Sequence, residues 1–559
     1  MAVNLKTGIT NYFRKYHSLK IFFAVFVAAY AIIILINPHL GPTDDFMLLR
    51  TLQSGKPILY YSSSFPYGDI AKLGRFSILG DMEYNIFGFF SKSPSAFWYF
   101  LVHAFQYVLL MILLVKILSR FTSNKILIYL TPILFSLTPA VIIPFFRTHL
   151  AERNVIFYYA IFLLCYFLYL KEEKLKYLVL GVVSANMAIH YKETAFIALG
   201  AFAFFHLLLT RKNSKRGVKI FDGLVLLSSF VYLLLYYLII YRHLNPNFYT
   251  YGYNPFNHLL VLVKNLLNYG FFTDPLIIFV LLPFTAWRLY KFLRRKIELH
   301  PIYDSMLLAG SAFAAGYFVL NTYGPNYMLP VYLFALPPLI YFFSQKEQRT
   351  LYFKGAAAVS GLILMFNVFP AGIHYLTYYK YFSVNFNKML DFIISDINVN
   401  HPNQKMNIFL DGTDLQGGRV GPYFILADFL EYRKFSAEHF DLKSNVVTPN
   451  PYPVTSFIKF PFTVFQSDIA SEIESGDYLI VGPEATKMNI TKAYVQSLEK
   501  DYKMLFRTNS PLAFPNLNLK TLAKYLISQR LSQSQKEEKG LMINENLMRW
   551  PDYYVFMKK

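Results

Sequence analysis

The chain has almost no cysteine and few charged residues, and both shortages narrow what it can be. Its single cysteine, Cys165, lies within an apolar run, so an intrachain disulfide and a zinc site of the usual cysteine spacing are excluded. Charged residues make up only 16% of the chain, whereas a soluble protein has about 25%. The sequence also has no Gly-x-Gly-x-x-Gly pattern and no phosphate-loop lysine, so nucleotide binding has no support.

Long apolar runs are what the chain does contain. Hydrophobic residues make up 55% of it, and its mean hydropathy is +0.34. The first run is followed by no small-residue cleavage site, which favours a retained helix over a signal peptide. We predict a polytopic α-helical membrane protein with about eleven transmembrane helices. They are predicted near 20–37, 96–115, 126–145, 154–170, 175–190, 194–210, 221–241, 271–290, 304–321, 327–343 and 355–374.

The basic residues predict the orientation. Lysine and arginine outnumber acidic residues by 54 to 33, which gives a net charge of +21. They concentrate in alternate loops, such as 116–125, 171–176 and 211–219, which the positive-inside rule places in the cytoplasm. With a cytoplasmic N-terminus, an odd number of spans through the plasma (inner) membrane places the C-terminus outside. Orientation and anionic membrane lipid therefore explain the charge, and nucleic acid is not an expected partner.

The composition changes near residue 380, where polar residues become common and apolar runs shorten. We predict a transmembrane domain over 1–378, with a first outer loop at 38–95, and an extracytoplasmic α/β domain over 379–559. Asp411-Gly412-Thr413-Asp414 follows a predicted strand there and suggests an acceptor-binding or lid role. The predicted strands are Met406–Leu410, Tyr478–Val481, Met504–Phe506 and Tyr553–Met557, and the predicted helices are Tyr423–Tyr432 and Leu519–Leu531.

Three charged stretches on the predicted outer side are candidates for a functional site. Ionisable groups at a membrane boundary are costly to desolvate unless they are paired or wetted, so their concentration on one side indicates a shared cavity. The first stretch is Asp44-Asp45, just beyond the first span; the second is Arg147–Asn154, with His149, Glu152 and Arg153; the third is His190–Thr194, with Lys192 and Glu193.

Each stretch also has a purely structural interpretation. Arg147 and Arg153 can extend to lipid headgroups. Glu152 with Arg153, or Lys192 with Glu193, can form ion pairs that close loop ends. Thr43 or Asp44 can cap a helix that begins near Phe46.

Taken together, the three stretches fit one kind of chemistry. A carboxylate at the boundary can act as general base towards an acceptor hydroxyl. Arginine, lysine and histidine side chains can hold a phosphate. The set therefore describes attack on a lipid-phosphate-linked donor, whose apolar tail runs between the helices.

At these motifs the chain resembles the GT-C superfamily of membrane glycosyltransferases. Members of that superfamily carry an acidic motif in the first outer loop, directly after the first span, where Thr43-Asp44-Asp45 stands here. His190-Tyr191-Lys192-Glu193-Thr194 is similar to the Lys-Glu turn of protein O-mannosyltransferase-like and aminoarabinose-transferase-like members. The loop 38–95, with amphipathic segments near Asp45–Leu52 and Asp81–Phe90, looks like the first outer loop of the superfamily.

The resemblance implies an inverting transfer of a sugar from a polyprenyl-phosphate-linked donor to an extracytoplasmic glycan, lipid or protein. It implies that Asp44 or Asp45 is the general base, with Asp44 preferred because it lies nearer the span. Glu152 or Glu193 would be a second acid that positions the acceptor. Some members bind a divalent metal ion through the acidic motif and others do not, so a metal at Asp44-Asp45 stays open. The expected phosphate contacts are Arg75, Arg147, His149, Arg153 and Lys192.

Two other function classes fit parts of the pattern. An O-antigen ligase or polymerase would also use a lipid-linked glycan, but the early carboxylate pair argues against it. A transporter or flippase of lipid-linked glycan would carry charges near the middle of its spans, often in repeated halves. Here the charges cluster at the outer ends and no repeat is evident. Two outer stretches rich in aromatic and amide groups, Tyr249–Asn257 and Asn321–Tyr327, are candidates for contact with sugar.

Overall fold

The computed structural model is mostly helical, with a small sheet near the C-terminus. It describes residues 2–42, 49, 76–80, 82–85, 96–148, 150–212, 214–243, 255–320, 324–345, 351–411, 420–446, 461–465, 470–483, 492–519, 522, 526, 530 and 551–559.

Fourteen of the helices of the described residues precede the sheet, and most of them follow the apolar runs. They are α1 (Ala2–Leu35), α2 (Phe97–Leu118), α3 (Lys125–Ser136), α4 (Pro139–Phe146), α5 (Glu152–Glu172), α6 (Leu175–Tyr191), α7 (Ala195–Thr210), α8 (Arg216–Ile239), α9 (Pro255–Asn268), α10 (Leu282–Leu293), α11 (Pro301–Val319), α12 (Leu329–Ser344), α13 (Leu351–Ile363) and α14 (Phe369–Asn400).

Two of the predicted spans are broken. The run 126–145 forms α3 and α4, which meet at 59°, where Pro139 begins the second helix. The run 271–290 contains a 112° bend between Thr273 and Ile277. Asp274 lies buried at this bend, and Tyr332 donates a 2.6 Å hydrogen bond to its carboxylate. The prediction of an unbroken helix is therefore wrong for both runs. Mean hydropathy shows that a run is apolar, but it does not show whether the helix bends within the run.

The described residues contain six helices that are long and apolar enough to cross a membrane, or eight if each bent pair counts as one span. The shorter helices α7 and α12 are also apolar. The coarse prediction of a polytopic helical membrane protein agrees with this, whereas the count of eleven spans is not confirmed.

The helix ends that carry the basic loops meet at one end of the bundle. Lys215 pairs with Glu173 there, and the ring of Phe121 contacts both Phe167 and Tyr303. Nearby, a network joins three helices: Tyr166 donates to one Asp222 oxygen at 2.7 Å, and His206 Nδ1 lies 2.7 Å from the other. Because all three side chains are buried and partnered with one another, this network has a structural role.

Gly372 marks a close approach between α14 and the α3–α4 corner. A methyl group at this position would overlap the carbonyl oxygen of Leu137 and lie 3.1 Å from Ile142 Cδ1. The obstacle is backbone rather than a flexible side chain, so only glycine fits without movement of the helices.

Gly372→Ala is therefore expected to destabilise the protein by about 1–3 kcal/mol, the usual cost of overpacking. The measurement is thermal unfolding of the purified protein in detergent. Gly361→Ala in the neighbouring α13 is the matched control, because a methyl group there meets no atom within 4 Å. Equal melting temperatures for the two variants would contradict the close approach.

A five-stranded mixed sheet forms the second part of the chain. Its strands are β1 (Met406–Leu410), β2 (Phe440–Lys443), β3 (Tyr478–Val481), β4 (Tyr502–Arg507) and β5 (Tyr554–Lys558), in the order β2-β1-β3-β5-β4. β1 pairs in parallel with β2 and β3, and β5 pairs antiparallel with β3 and β4. Two further helices, α15 (Val420–Tyr432) and α16 (Lys492–Leu498), accompany the sheet.

The four predicted strands and the predicted helix at 423–432 are present with small changes in their ends, whereas the sequence does not predict β2. Most of the helix predicted at Leu519–Leu531 lies outside the described residues. α14 continues through residue 378, the predicted domain boundary, and its second half supports the sheet: the rings of Phe386 and Phe429 contact each other, as do those of Phe392 and Phe506.

Candidate functional site

The beginning of α5 places three polar side chains inside the bundle. Glu152, Arg153 and Asn154 form its first turn, and all three are buried, with Glu152 and Arg153 each only 1% exposed. A carboxylate is favoured in the first turn because the free N–H groups there carry partial positive charge. Burial at this depth nevertheless requires a partner for each charge, and neighbouring elements supply these partners.

Glu152 is held by the loops that begin α7 and α12. Its Oε1 lies 2.5 Å from Lys192 Nζ and accepts a 2.7 Å hydrogen bond from Asn326 Nδ2. Its Oε2 is buried and has no hydrogen-bond partner among the described residues. The carboxylate therefore retains a free acceptor position beside an ammonium group.

Lys192 also faces an aromatic surface. Its ammonium lies 4.8 Å from the ring centre of Tyr327, within the range of a cation–π contact. The Tyr327 ring stacks on Tyr317 at 5.1 Å, and the Tyr317 hydroxyl lies 3.0 Å from Thr194 Oγ1. Because Lys192 is still 13% exposed, it is the more accessible member of its pair with Glu152.

Arg153 is the centre of a second, tightly enclosed cluster. Its two terminal nitrogens donate to Glu83 Oε1 and Gln106 Oε1. Asn154 closes the ring, since it donates to Glu83 Oε2 at 2.7 Å and accepts from Gln106 Nε2 at 2.9 Å. This cluster attaches the first outer loop to α2 and α5.

The first outer loop also reaches the third charged stretch. Ser77 Oγ donates to Glu193 Oε2 at 2.9 Å, and Leu79 N donates to the His190 carbonyl at 2.9 Å. Glu193 thus pairs with the loop rather than with Lys192, which corrects the interpretation of Lys192 and Glu193 as one ion pair. The interpretation of Glu152 and Arg153 as an ion pair is corrected in the same way, because each has a different partner.

Arg147 ends α4 at the same end of the bundle. Its guanidinium carbon lies 5.8 Å from the ring centre of Tyr379 on α14. The next residue, Thr148, accepts a hydrogen bond from the Tyr84 hydroxyl through its carbonyl. The second charged stretch is therefore covered by the first outer loop on one side and lies next to α14 on the other.

The two ends of the first outer loop are pinned together. Ala96 N donates to the Pro38 carbonyl at 3.1 Å, and Asn387 Nδ2 donates to the Leu40 carbonyl at 2.9 Å. His39 lies between Pro38 and Leu40, and burial lowers the pKa of its imidazole below the ordinary value, which keeps it neutral near pH 7.

Of the predicted site residues, Asp44, Asp45, Arg75 and His149 lie outside the described residues, and so does most of Tyr249–Asn257.

The structure thus brings Glu152, Arg153, Lys192, Glu193 and Arg147 to one end of the bundle, opposite the basic loops. Within the described part of the chain, no group of three or more His, Cys, Asp or Glu side chains is arranged to hold a metal ion. The Asp44-Asp45 pair falls outside that part, so the question of a metal there stays open.

No family model and no curated protein matches the chain significantly. Among solved structures, those of an archaeal oligosaccharyltransferase match the chain. One is AglB from Archaeoglobus fulgidus in complex with an inhibitory peptide and a dolichol-phosphate, with a TM-score of 0.41, 12% identity, and coverage of 96% of this chain and 88% of that one. Another is an Archaeoglobus fulgidus oligosaccharyltransferase tethered to an acceptor peptide, with a TM-score of 0.36, 11% identity and the same coverage.

These neighbours belong to the GT-C superfamily, the one that the motifs of this chain resemble. The function of this chain is inferred from the side chains at the end of the bundle and not from the likeness to these structures.

The sequence does not identify Glu83 or Gln106 as site residues, whereas Asn326 belongs to a stretch predicted to contact sugar. Glu83 lies in a segment predicted to be amphipathic, and the structure places a helical turn at 83–85. Asn326 lies in the amide-rich stretch Asn321–Tyr327. A buried charge at 152 or 153 requires a partner of opposite sign, and this requirement is the signal that points to Glu83.

Proposed function

We propose that the chain is an inverting glycosyltransferase that moves a sugar from a polyprenyl-phosphate-linked donor to an extracytoplasmic acceptor. The observation that carries the proposal is the buried Glu152–Lys192 pair, with its free carboxylate oxygen, at the end of the bundle that the first outer loop covers. Buried polar atoms nearly always have a hydrogen-bond partner, and a bound ligand would supply one to Glu152 Oε2.

The reaction needs one base and one set of cations. Asp44 or Asp45 takes the proton of the acceptor hydroxyl while the oxygen of that hydroxyl forms a bond to the anomeric carbon of the donor. The bond from that carbon to the phosphate oxygen breaks on the opposite face, and the leaving phosphate retains the electron pair. Lys192 stabilises the negative charge that develops on this phosphate, because an ammonium can approach it as a point charge.

Glu152 has a separate role in this scheme. Its free Oε2 can accept a hydrogen bond from a hydroxyl or amine of the acceptor, while Lys192 and Asn326 hold Oε1. Glu193 is committed to Ser77 through Oε2 and holds the first outer loop in place. We therefore assign the second acid of the site to Glu152.

The remaining cations differ in how accessible they are. Both terminal nitrogens of Arg153 are occupied by Glu83 and Gln106, so its contribution is to support the site. Arg147 is half-buried at the start of the second stretch and stays a predicted phosphate contact, together with Arg75 and His149.

Lys192→Ala is expected to weaken binding of undecaprenyl phosphate by roughly 10- to 100-fold, the loss of one charged hydrogen bond to phosphate. Binding is measured with the radiolabelled lipid and the purified protein in detergent. The KM for the donor, measured over a panel of polyprenyl-phosphate monosaccharides, should rise by a similar factor, and Lys192→Arg should restore most of the binding.

Lys215→Ala is the matched control, because Lys215 also pairs with a glutamate but lies at the opposite end of the bundle. It should bind the lipid like the unmodified protein. Equal affinity of Lys192→Ala and Lys215→Ala would show that Lys192 serves only as a structural partner of Glu152.

A further inference from the structure

The end of α1 and the residues that follow it, 34–40, lie against one face of α14. Asn37, two residues after the end of α1, has a positive φ of 44°, a conformation common just beyond helix C-termini. Lys380 Nζ donates to the carbonyls of Ile34 and Ile36 at 2.6 and 2.8 Å. The last carbonyls of a helix have no partner within the helix, so this lysine satisfies two of them.

A second contact lies further along α14. Asn387 Nδ2 donates to the Leu40 carbonyl at 2.9 Å and to the Ser383 carbonyl at 2.8 Å. Residues 380 and 387 lie about two turns apart on the same helix face, so α14 holds the exit from α1 at two heights. Residues 40, 41 and 42 are all buried, and the next residues lead directly to Asp44 and Asp45.

Asn387 is itself held by the sheet domain. Arg433 follows the end of α15 and donates to Asn387 Oδ1 at 2.7 Å, while its other terminal nitrogen donates to Asp391. A guanidinium group can only donate hydrogen bonds. It therefore fixes the Asn387 carboxamide with its oxygen towards Arg433 and its NH₂ group towards Leu40.

We propose that Arg433 is a positioning residue for the acidic pair: through Asn387 it holds Leu40, and so the sheet domain fixes the segment from which the chain continues to Asp44 and Asp45. This inference rests on the proposed function, in which one of these aspartates is the general base. A base has to lie within hydrogen-bond reach of the proton that it removes, so a clamp four residues away affects the rate of proton transfer more than donor binding.

Arg433→Met tests this role because it retains the apolar stem and removes every donor. We expect kcat for sugar transfer to fall by up to about 100-fold, the effect of a misplacement near 1 Å. The KM for the donor and the binding of undecaprenyl phosphate should stay unchanged. Arg507→Met is the matched control, because Arg507 lies on β4 of the same domain with its guanidinium over the Tyr554 ring. The kcat of this variant should equal that of the unmodified protein.

Asn387→Asp separates a clamp from a simple stabilising contact. The new carboxylate would pair more strongly with Arg433 but would lose the donor to the Leu40 carbonyl. A clamp predicts a loss of kcat similar to that of Arg433→Met, together with an unchanged KM for the donor. Full activity of Asn387→Asp would overturn the proposal.

Hydrogen exchange gives a readout that does not depend on enzymatic activity. In Arg433→Met and Asn387→Asp, the amides of residues 39–41 should exchange faster than in the unmodified protein, while those of β1 and β3 should not change. Unchanged exchange at 39–41 in both variants would overturn the clamp. Faster exchange in a protein that transfers no sugar at all would leave the clamp standing and would overturn the proposed function instead.

Discussion

Replacing the proposed general base, Asp44 or Asp45, by asparagine is expected to lower sugar transfer by roughly 100- to 10,000-fold, the usual contribution of a general base. Asparagine has nearly the same shape as aspartate but cannot take the proton of the acceptor hydroxyl. Asp44→Asn should show the larger loss, because Asp44 is nearer in sequence to Leu40, which Asn387 holds, and Asp45→Asn should retain more activity.

The measurement is kcat for transfer from polyprenyl-phosphate monosaccharides, with each variant purified in the same detergent. Binding of undecaprenyl phosphate should stay near the value of the unmodified protein, since the base acts on the acceptor. Asp501→Asn, a change at an exposed aspartate next to β4, is the control for general effects of an Asp-to-Asn substitution. Full activity in both Asp44→Asn and Asp45→Asn would exclude the first-loop aspartates as the base.

A requirement for a metal can be examined in the same assay. Added chelator should leave the rate unchanged if the aspartates act only as bases. If the pair binds a divalent ion, chelator should abolish transfer and a divalent salt should restore it. The two results distinguish the two forms of GT-C chemistry that the resemblance leaves open.

The sequence predicts which parts of the chain meet because charge and hydropathy limit where a polar loop can lie. Asp44-Asp45, Arg147–Asn154 and His190–Thr194 are all predicted on one side of the membrane. In the structure, the loop residue Glu83 contacts Arg153 of the second stretch, and the loop residue Ser77 contacts Glu193 of the third. The second and third stretches do meet, since Lys192 Nζ lies 2.5 Å from Glu152 Oε1.

The sequence does not predict how the individual charges pair. Neighbouring positions such as 152 and 153 suggest an ion pair, yet adjacent residues of a helix point about 100° apart. Glu152 therefore faces Lys192 and Asn326, while Arg153 faces Glu83. Partners far apart in the chain depend on how helices and loops pack, which no local pattern records.

The broken spans show the same limit. The bend at Asp274 occurs within an apolar run, so composition alone predicts a continuous helix there. What marks the position in the sequence is Asp274-Pro275, since the residue before a proline is biased away from the helical conformation. In the structure the hydroxyl of Tyr332 partners the buried Asp274 carboxylate. Four of the five strands are predicted because each contains a short apolar run between polar segments, whereas β2 has the mixed sequence Phe-Asp-Leu-Lys.

Glu83→Ala is expected to produce the largest loss of stability. Arg153 would remain buried without its counter-charge, and breaking a buried ion pair by removal of one partner costs about 3–5 kcal/mol. Gln106 would still accept one hydrogen bond from Arg153 but supplies no negative charge. The measurement is the free energy of unfolding, or the melting temperature, in detergent.

Two comparisons identify the cause of that loss. Glu173→Ala removes the partner of Lys215, whose side chain is 71% exposed, so this control should cost less than about 1 kcal/mol. The double variant Glu83→Leu/Arg153→Leu removes both charges and should recover much of the stability lost in Glu83→Ala, because well-packed apolar residues can replace a buried pair. A double variant as unstable as Glu83→Ala would show that Glu83 stabilises the first outer loop through packing and hydrogen bonds to Asn154, rather than through the charge of Arg153.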